Sequence, residues 1–355
     1  MRVQRVVLAA LTLGAAAFVA TPSSPASAAP NLTPKLLTGT GNGSVPHVKM
    51  WDGASEAGGF LAHSNHTGVR VAAGDLNGDG QVEIITAEGP GAPSRVTARS
   101  LDQTFNSTFQ PYDGFPGGVN IAAGDVDGDG ADELVTAADS GGGPHVVVWD
   151  MDASGHFVAK LGWFAYDPGF RGGVRVAVAN VVGSTKADVV TAPGPGGGPH
   201  VRVWDLGSGS PVEAAGWFAY APSFTGGVSV GAGEIDGAKA VVTGVGPGGG
   251  PHVRVFSPSG ALKHEFFAYS PDFHGGVNVA LAPPTGGDLG YIFTAPASWG
   301  GPHVRALRSS GAPIFEFMAY GSSPINGVTL AAIPQLGNQN GTNQNSSNQN
   351  GTTTS

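Results

Sequence analysis

The chain has no cysteine, so disulfides are excluded and packing, closure of the fold or bound metal must hold it together. Charge is also scarce, at 12% Asp, Glu, Lys and Arg, and the balance is acidic, 17 basic residues against 26. That argues against nucleic acid or anionic lipid as a partner. After residue 28 no long apolar segment with a 3.6-residue period occurs, which excludes a helical bundle. Nor does any later run resemble a membrane span. What the chain does have is 59 Gly and 27 Pro. Scattered, they would mean low complexity; here they recur at turn positions beside apolar strands, the mark of a globular β-protein.

The first residues read as a secretory signal, which implies an extracellular protein. Arg2 and Arg5 precede an apolar run from Val6 to Ala20, and Ala26-Ser27-Ala28 gives a small-residue cleavage site. Loss of residues 1–28 would leave 15 basic residues against 26 acidic, a net charge of −11. Residues 29–35 read as a linker. Residues 337–355 are almost wholly Asn, Gln, Gly, Ser and Thr and are expected to form a disordered tail.

Between these ends, a unit of about fifty residues is written six times. A hydrophobic strand ending in Thr precedes each Gly/Pro-rich turn, at Thr38, Thr86, Thr136, Thr191, Thr243 and Thr294. A Pro-His-Val strand follows, at Pro46-His47-Val48, Pro144-His145-Val146, Pro199-His200-Val201, Pro251-His252-Val253 and Pro302-His303-Val304, with Pro93-Ser94-Arg95 as the copy that lost its His. Next comes an aromatic strand, such as Trp163-Phe164-Ala165-Tyr166 and Trp217-Phe218-Ala219-Tyr220. The cycle restarts at Gly-Val pairs, the first being Gly68-Val69.

Each unit therefore holds four short β-runs separated by turn residues. One four-stranded sheet of this size cannot bury both faces, whereas six around an axis give every sheet two neighbours. The reading is an all-β, six-bladed β-propeller of four-stranded antiparallel blades over residues 36–336. The chain enters inside a unit at Leu36-Leu37-Thr38 and leaves after the Gly-Val strand near Ile333. One blade is thus expected to combine three N-terminal strands with one C-terminal strand, hiding edges that would invite aggregation.

The acidic loops carry the strongest chemical signal. Asp75-Leu76-Asn77-Gly78-Asp79-Gly80-Gln81-Val82-Glu83 and Asp125-Val126-Asp127-Gly128-Asp129-Gly130-Ala131-Asp132-Glu133 place oxygen side chains at positions 1, 3, 5 and 9. Ca²⁺ takes six to eight oxygens, and alternate residues of a tight loop can converge on one ion while Gly lets the backbone turn. Mg²⁺, with its strict octahedron, fits less well. An ion-free Asp/Gly turn is the plainer alternative.

Residues 68–87 and 118–137 closely resemble the FG-GAP, or VCBS-type, repeat of integrin α-subunit propellers and of secreted bacterial proteins, and the rest of 36–333 resembles it more loosely. The resemblance implies a propeller with the Gly-Val strand innermost and calcium held between the first and second strands of a blade. Its ligands would be Asp75, Asn77, Asp79 and Glu83 in one blade and Asp125, Asp127, Asp129 and Glu133 in the next, with the carbonyls of Gln81 and Ala131. The third loop offers Asn180, Val182, Ser184 and Asp188. The fourth keeps Glu234 and Asp236 but is two residues shorter, and the fifth has Pro283, Thr285, Gly287 and Tyr291. Two structural Ca²⁺ ions are therefore expected, not six.

Strand alternation sends the Gly-Pro-Gly-Gly-Gly-Pro-His turns and the turns after the aromatic strand to the face opposite the calcium loops. In integrin-like propellers that face binds ligand. Two readings of it stay open. In one, His145, His200, His252 and His303, the rings of Tyr166, Tyr220, Tyr269, Phe170, Phe224 and Phe273, and the amides of the turn from Gly194 to Gly198 form repeated shallow sites for a carbohydrate or peptide. In the other, each His bonds to its Gly-rich turn, and Tyr and Phe fill the wedge between blades. A shared His–metal site is disfavoured, because equivalent positions on different blades cannot converge on one ion.

No nucleophile, base and orienting group stand outside the repeat. His63, His66, His156, His264 and His274 are assigned to solvent-exposed turns or strands. The expectation is a secreted, monomeric, calcium-stabilised binding or adhesion module for an extracellular glycan or protein. Two alternatives stand: a polysaccharide lyase or hydrolase, and a scaffold of the envelope or matrix.

Overall fold

The computed structural model describes residues 35–183, 185–282, 284, 289–321 and 325–334. The expected signal at 1–28, residues 29–34 of the linker and the tail at 337–355 lie outside the described residues, as do Ser184, Pro283, Thr285 and Gly287. Among the described residues there is no helix, and the strands form six four-stranded antiparallel sheets.

Blade 1 joins the two ends of the chain: β1 (Lys35–Thr40), β2 (His47–Asp52) and β3 (Ser55–Leu61) stand beside β24 (Val328–Ala332). The β24–β1 pairing runs from Leu36↔Ala332 to Thr40↔Val328, the closure expected from the sequence. Blade 2 holds β4 (Val69–Gly74), β5 (Glu83–Glu88), β6 (Val96–Arg99) and β7 (Asn106–Phe109). Blade 3 holds β8 (Val119–Gly124), β9 (Glu133–Ala138), β10 (His145–Met151) and β11 (Phe157–Phe164). Blade 4 is β12 (Val174–Ala179), β13 (Asp188–Pro193), β14 (His200–Asp205) and β15 (Val212–Phe218). Blade 5 is β16 (Val228–Ile235), β17 (Ala238–Val245), β18 (His252–Phe256) and β19 (Leu262–Phe267). Blade 6 is β20 (Val277–Ala282), β21 (Tyr291–Pro296), β22 (His303–Leu307) and β23 (Pro313–Met318).

Burial follows radial position. Every residue of β5, β9, β13 and β21 is buried, because each face of a second strand packs on a neighbouring blade. The outer strands alternate instead, with β11, β15 and β23 exposing every second residue near their ends. Six apolar clusters fill the seams, each mixing two adjacent blades, as Val190, Val203, Val228 and Val241 do between blades 4 and 5. Burying one such side chain contributes about 1.5–3 kcal/mol, so it is the seams that hold the ring.

The threonine used to align the repeat proves to be a seam anchor. Tyr166 of blade 3 reaches into blade 4, where its hydroxyl donates to the His200 carbonyl at 2.8 Å and meets Thr191 Oγ1 at 3.2 Å. Thr191 Oγ1 also accepts from Trp204 Nε1 at 3.0 Å. Tyr112, Tyr220, Tyr269 and Tyr320 make the same two contacts with Thr136, Thr243, Thr294 and Thr38 and with the next histidine's carbonyl. A hydroxyl between two blades satisfies a part-buried carbonyl of the next blade and ties the two together.

Candidate functional site

On one face the β4–β5 and β8–β9 loops place the predicted calcium ligands together. Asp75 caps its own loop, its two oxygens accepting from the Asp79 and Gly80 N–H groups at 3.1 and 2.9 Å. Asn77 Oδ1 accepts from Asp79 N at 2.9 Å, and Asp79 Oδ1 from Gln81 N at 2.8 Å. Glu83 turns back to accept from Leu76 N at 2.9 Å. In the second loop Asp125, Asp127 and Glu133 bring one oxygen each within 4.8 Å of one another. Glu83 Oε1 and Glu133 Oε1 are buried without a hydrogen-bond partner.

Those orphaned oxygens test the fit of a cation. Burial, opposed by the Leu76 N–H and reinforced by Asp79 and Asp75, pushes the Glu83 carboxyl up to about 7. Burial, opposed by the Val126 N–H and reinforced by Asp127, Asp129 and Asp125, does the same to Glu133. Crowded carboxylates with an unused buried oxygen suit a hard divalent ion. Gln81 and Ala131, expected to lend carbonyls, stand at the loop ends with their N–H groups on Asp79 and Asp129.

The remaining loops diverge in a physically readable way. Asp188 still caps its loop, accepting from Val181 and Val182 N at 2.8 and 2.7 Å, but Val182 supplies no side-chain oxygen. The shortened fourth loop is a tight hairpin turn at Asp236 and Gly237, both at positive φ, as a two-residue type I′ turn requires. One residue of the second loop, at position 8 between the ligand positions 5 and 9, was given no role in the sequence reading. Asp132 ties the two loops together, its N–H donating to the Asp75 carbonyl at 2.7 Å and its carboxylate accepting from Asp75 N at 2.9 Å.

On the opposite face the histidines, the Gly-rich turns and the inter-blade links come together, and the tyrosines take the wedge-filling role of the second reading. Tyr166, Tyr220 and Tyr269 fill seams with their hydroxyls engaged, so they offer a ligand little. Phe170, Phe224 and Phe273 pack edge-on against those tyrosines, with centroids 6.2, 6.4 and 5.7 Å apart. The amides from Gly194 to Gly198 are largely used: Gly194 N donates to Gly173 O, Gly196 N to Thr225 O and Gly197 N to Gly194 O, and Pro195 has none.

The histidines behave differently from both readings. Their backbone N–H groups, not their rings, bond to the turns, as His200 N does to Gly198 O at 2.7 Å. The rings lie against the residue across the strand pair. His145 meets Phe164 at 5.2 Å, His200 meets Phe218 at 4.9 Å and His252 meets Phe267 at 5.1 Å, and His303 pairs with Met318. Burial holds the imidazoles of His145, His200 and His252 below their ordinary value, with Arg202 and Arg254 adding to the effect on the latter two. His252 and His303 also reach Glu265 and Glu316, at 3.1 and 3.4 Å.

No protein-family model matches the chain, and no curated protein does. Among solved structures it is similar to a functionally unknown protein from Desulfotomaculum acetoxidans, at 14% identity over 85% of this chain and 88% of that one, TM-score 0.48. It is also similar to the Dos1 propeller, at 14% identity over 78% of this chain, TM-score 0.43, and spans 66% of that longer chain. A third is the exotype rhamnogalacturonan lyase YesX, at 13% identity over 80% and 70% of the two chains, TM-score 0.41. These likenesses concern the fold alone.

Phe164, Phe218 and Phe267 are the face residues that sequence reasoning passed over. They are 52, 52 and 55% exposed, each lying beside a histidine and over a Gly-rich turn, with Gly143, Gly198 and Gly250 close enough that an added Cβ would touch the ring. Their signal was in the sequence as the second aromatic of each Trp-Phe or Phe-Phe pair, but only the strand register reveals which ring faces out.

Near the axis Val71, Ile121, Val176, Val230, Val279 and Leu330, one from each blade, line a cavity of about 530 Å³, and their neighbours Arg70, Asn120, Arg175, Ser229, Asn278 and Thr329 add a polar lining. At the rim, Asp139 binds Arg70 and Arg175, each at 2.7 Å. Burial alone would raise the Asp139 carboxyl, but the guanidiniums of Arg175 and Arg70 outweigh it and hold the group well below the usual carboxylate range.

Proposed function

We propose that the chain is a secreted, calcium-stabilised propeller that binds an extracellular polysaccharide across the face opposite its acidic loops. The observation that carries this reading is the row of exposed phenylalanines at Phe164, Phe218 and Phe267, repeated on successive blades beside a half-buried histidine. An exposed ring offers the apolar face of a sugar a flat partner, and neighbouring His, Arg and Glu side chains supply the polar contacts. Equal platforms on adjacent blades suit a polymer, since linked sites add avidity without new contacts. Ca²⁺ at Asp75, Asn77, Asp79 and Glu83, and at Asp125, Asp127, Asp129 and Glu133, supports the scaffold rather than the ligand.

The lyase or hydrolase alternative asks for unrepeated polar residues near the axis. Arg70 and Arg175, which share one repeat position in blades 2 and 4, and Asp139 come nearest to such a set, but a carboxylate held ionised by two guanidiniums is a poor base. The test is affinity electrophoresis against a set of neutral and acidic polysaccharides, with the parent and a variant carrying Phe164→Ala, Phe218→Ala and Phe267→Ala. Retardation of the parent and its loss in the variant support the platforms. Equal retardation of both would sink the reading, and falling polymer viscosity in the same mixtures would favour the enzyme.

A further inference from the structure

The repeat breaks down in one seam, between blades 1 and 2. By strand register, His63 takes the place that Tyr166 has elsewhere, Glu88 that of Pro193, Arg95 that of His200 and Arg99 that of Trp204. The same register corrects the sequence alignment by one residue, since Val96, not Arg95, aligns with the valine of Pro-His-Val. Blade 2 also lacks the bulge that the other five blades carry between their third and fourth strands. All four substituted residues line a single cavity of about 360 Å³ that opens past Asn106 and Thr108.

The cavity is polar and incompletely satisfied. His63, expected in a solvent-exposed turn, has a side chain only 8% exposed, and that of Glu88 is 2% exposed. His63 Nε2 lies 3.1 Å from the Gly68 carbonyl. A carbonyl only accepts, so the proton sits on Nε2 and Nδ1 carries a lone pair in the neutral ring. Burial, helped by Arg95, favours that neutral form, against the pull of Glu88 and of the Gly68 and Asn65 backbone. Nδ1 lies 4.0 Å from Glu88 Oε1, acceptor facing acceptor. Asn65 Nδ2 donates to Glu88 Oε1 at 3.2 Å, but His63 Nδ1, Glu88 Oε2 and Arg99 Nε are buried without a partner. The Arg99 guanidinium is fixed over the Phe60 ring, 4.3 Å from its centroid, and Arg95 Nη1 stands 3.9 Å from Glu88.

These groups select a guest. Two acceptors and one donor call for a molecule that donates at least twice and accepts once. An ammonium group drawn to Glu88 would also meet Arg95 and Arg99, and a carboxylate drawn to the two arginines would also meet Glu88, so either charge gains little. Adjacent hydroxyls on an uncharged ring both donate and accept, and the volume lies at the small end of ligand pockets. We propose that this seam cavity is a binding site for a single neutral sugar ring, with hydroxyls donating to His63 Nδ1 and Glu88 Oε2 and an oxygen accepting from Arg99 Nε. It shares its ligand class with the platform reading but stands on different residues, so the two can fail separately.

Isothermal titration of the intact protein with glucose, galactose, mannose, rhamnose, glucuronate and glucosamine tests the site. The expected result is binding of at least one neutral sugar, with glucuronate and glucosamine at least about tenfold weaker. Glu88→Gln should weaken the neutral sugar about ten- to a hundredfold, the worth of a hydrogen bond to a charged group. His63→Tyr, which rebuilds the seam of the other blades, should abolish binding with Tm unchanged or raised, and Val212→Ala, at an exposed position of blade 4, should leave it intact. No neutral sugar bound by the parent, charged sugars bound as well as neutral ones, or binding that survives in His63→Tyr each overturns the proposal. Sugar binding kept in the triple phenylalanine variant while polysaccharide retardation persists sinks the platforms alone.

Discussion

Stripping divalent cations should leave the protein less stable at about pH 8 than at about pH 5, and Ca²⁺ should narrow that gap. Without an ion, burial and neighbouring carboxylates put Glu83 and Glu133 at about 7, against about 4.3 in an unfolded chain. A carboxyl whose folded pKa is raised keeps its proton in the native state over that window. Stability is therefore greatest below the unfolded value and falls as the pH climbs to about 7, by an amount of the order of 3 kcal/mol per glutamate. Ca²⁺ takes the deprotonated oxygens and offsets that loss. With a dissociation constant of about 0.1–1 mM and about 10 mM ion, each site adds roughly 1.4–2.7 kcal/mol. Two sites then raise Tm by about 5–10 °C. Differential scanning calorimetry in EDTA and in CaCl₂ at the two pH values measures both effects. Asp79→Ala and Asp129→Ala should each remove about half of the calcium-dependent part and little of the remainder. Identical melting with and without Ca²⁺ at both pH values would refute the reasoning.

Other perturbations probe the ring itself. Tyr220→Phe removes a hydroxyl that meets Thr243 and His252 across a seam, and urea unfolding should show a loss of about 1–2 kcal/mol. Asp139→Asn leaves Arg70 and Arg175 facing each other and should cost about 3–5 kcal/mol. The parent should also lose stability as the pH falls below about 4, since a carboxyl with a depressed pKa contributes only while ionised, and the variant should lack that part of the acid limb. Asp132→Ala cuts the bond from the Asp75 N–H between the two acidic loops, so calcium titration should show the two binding events becoming independent.

Blade count, closure and the acidic hairpins were legible because each leaves a periodic mark. Thr38 near one end and Gly327-Val328 near the other are halves of one unit, and the Asp-x-Asp spacing survives whatever surrounds it. The histidine face was less legible. Tyr166 and Phe164 stand two residues apart in one aromatic strand, yet the tyrosine reaches over into the next blade while the phenylalanine faces water. Sequence shows two aromatics; only pairing register and inter-blade contact separate their roles. Asp132 was hidden for a similar reason, since its partner Asp75 lies in another blade. The seam cavity hid behind an alignment one residue out, which set Arg95 on the wrong face of its strand.

The joint in blade 1 has a mechanical consequence. Leu36 lies opposite Ala332, and Thr40 opposite Val328, so the two flanking chains leave from the same end of one antiparallel ladder. Tension applied between those flanks would act across the rungs singly, like a zip drawn from its open end, instead of loading all five together in shear. The domain should therefore yield at low force when stretched through its termini, yet withstand far more when pulled through loops on opposite sides of the ring.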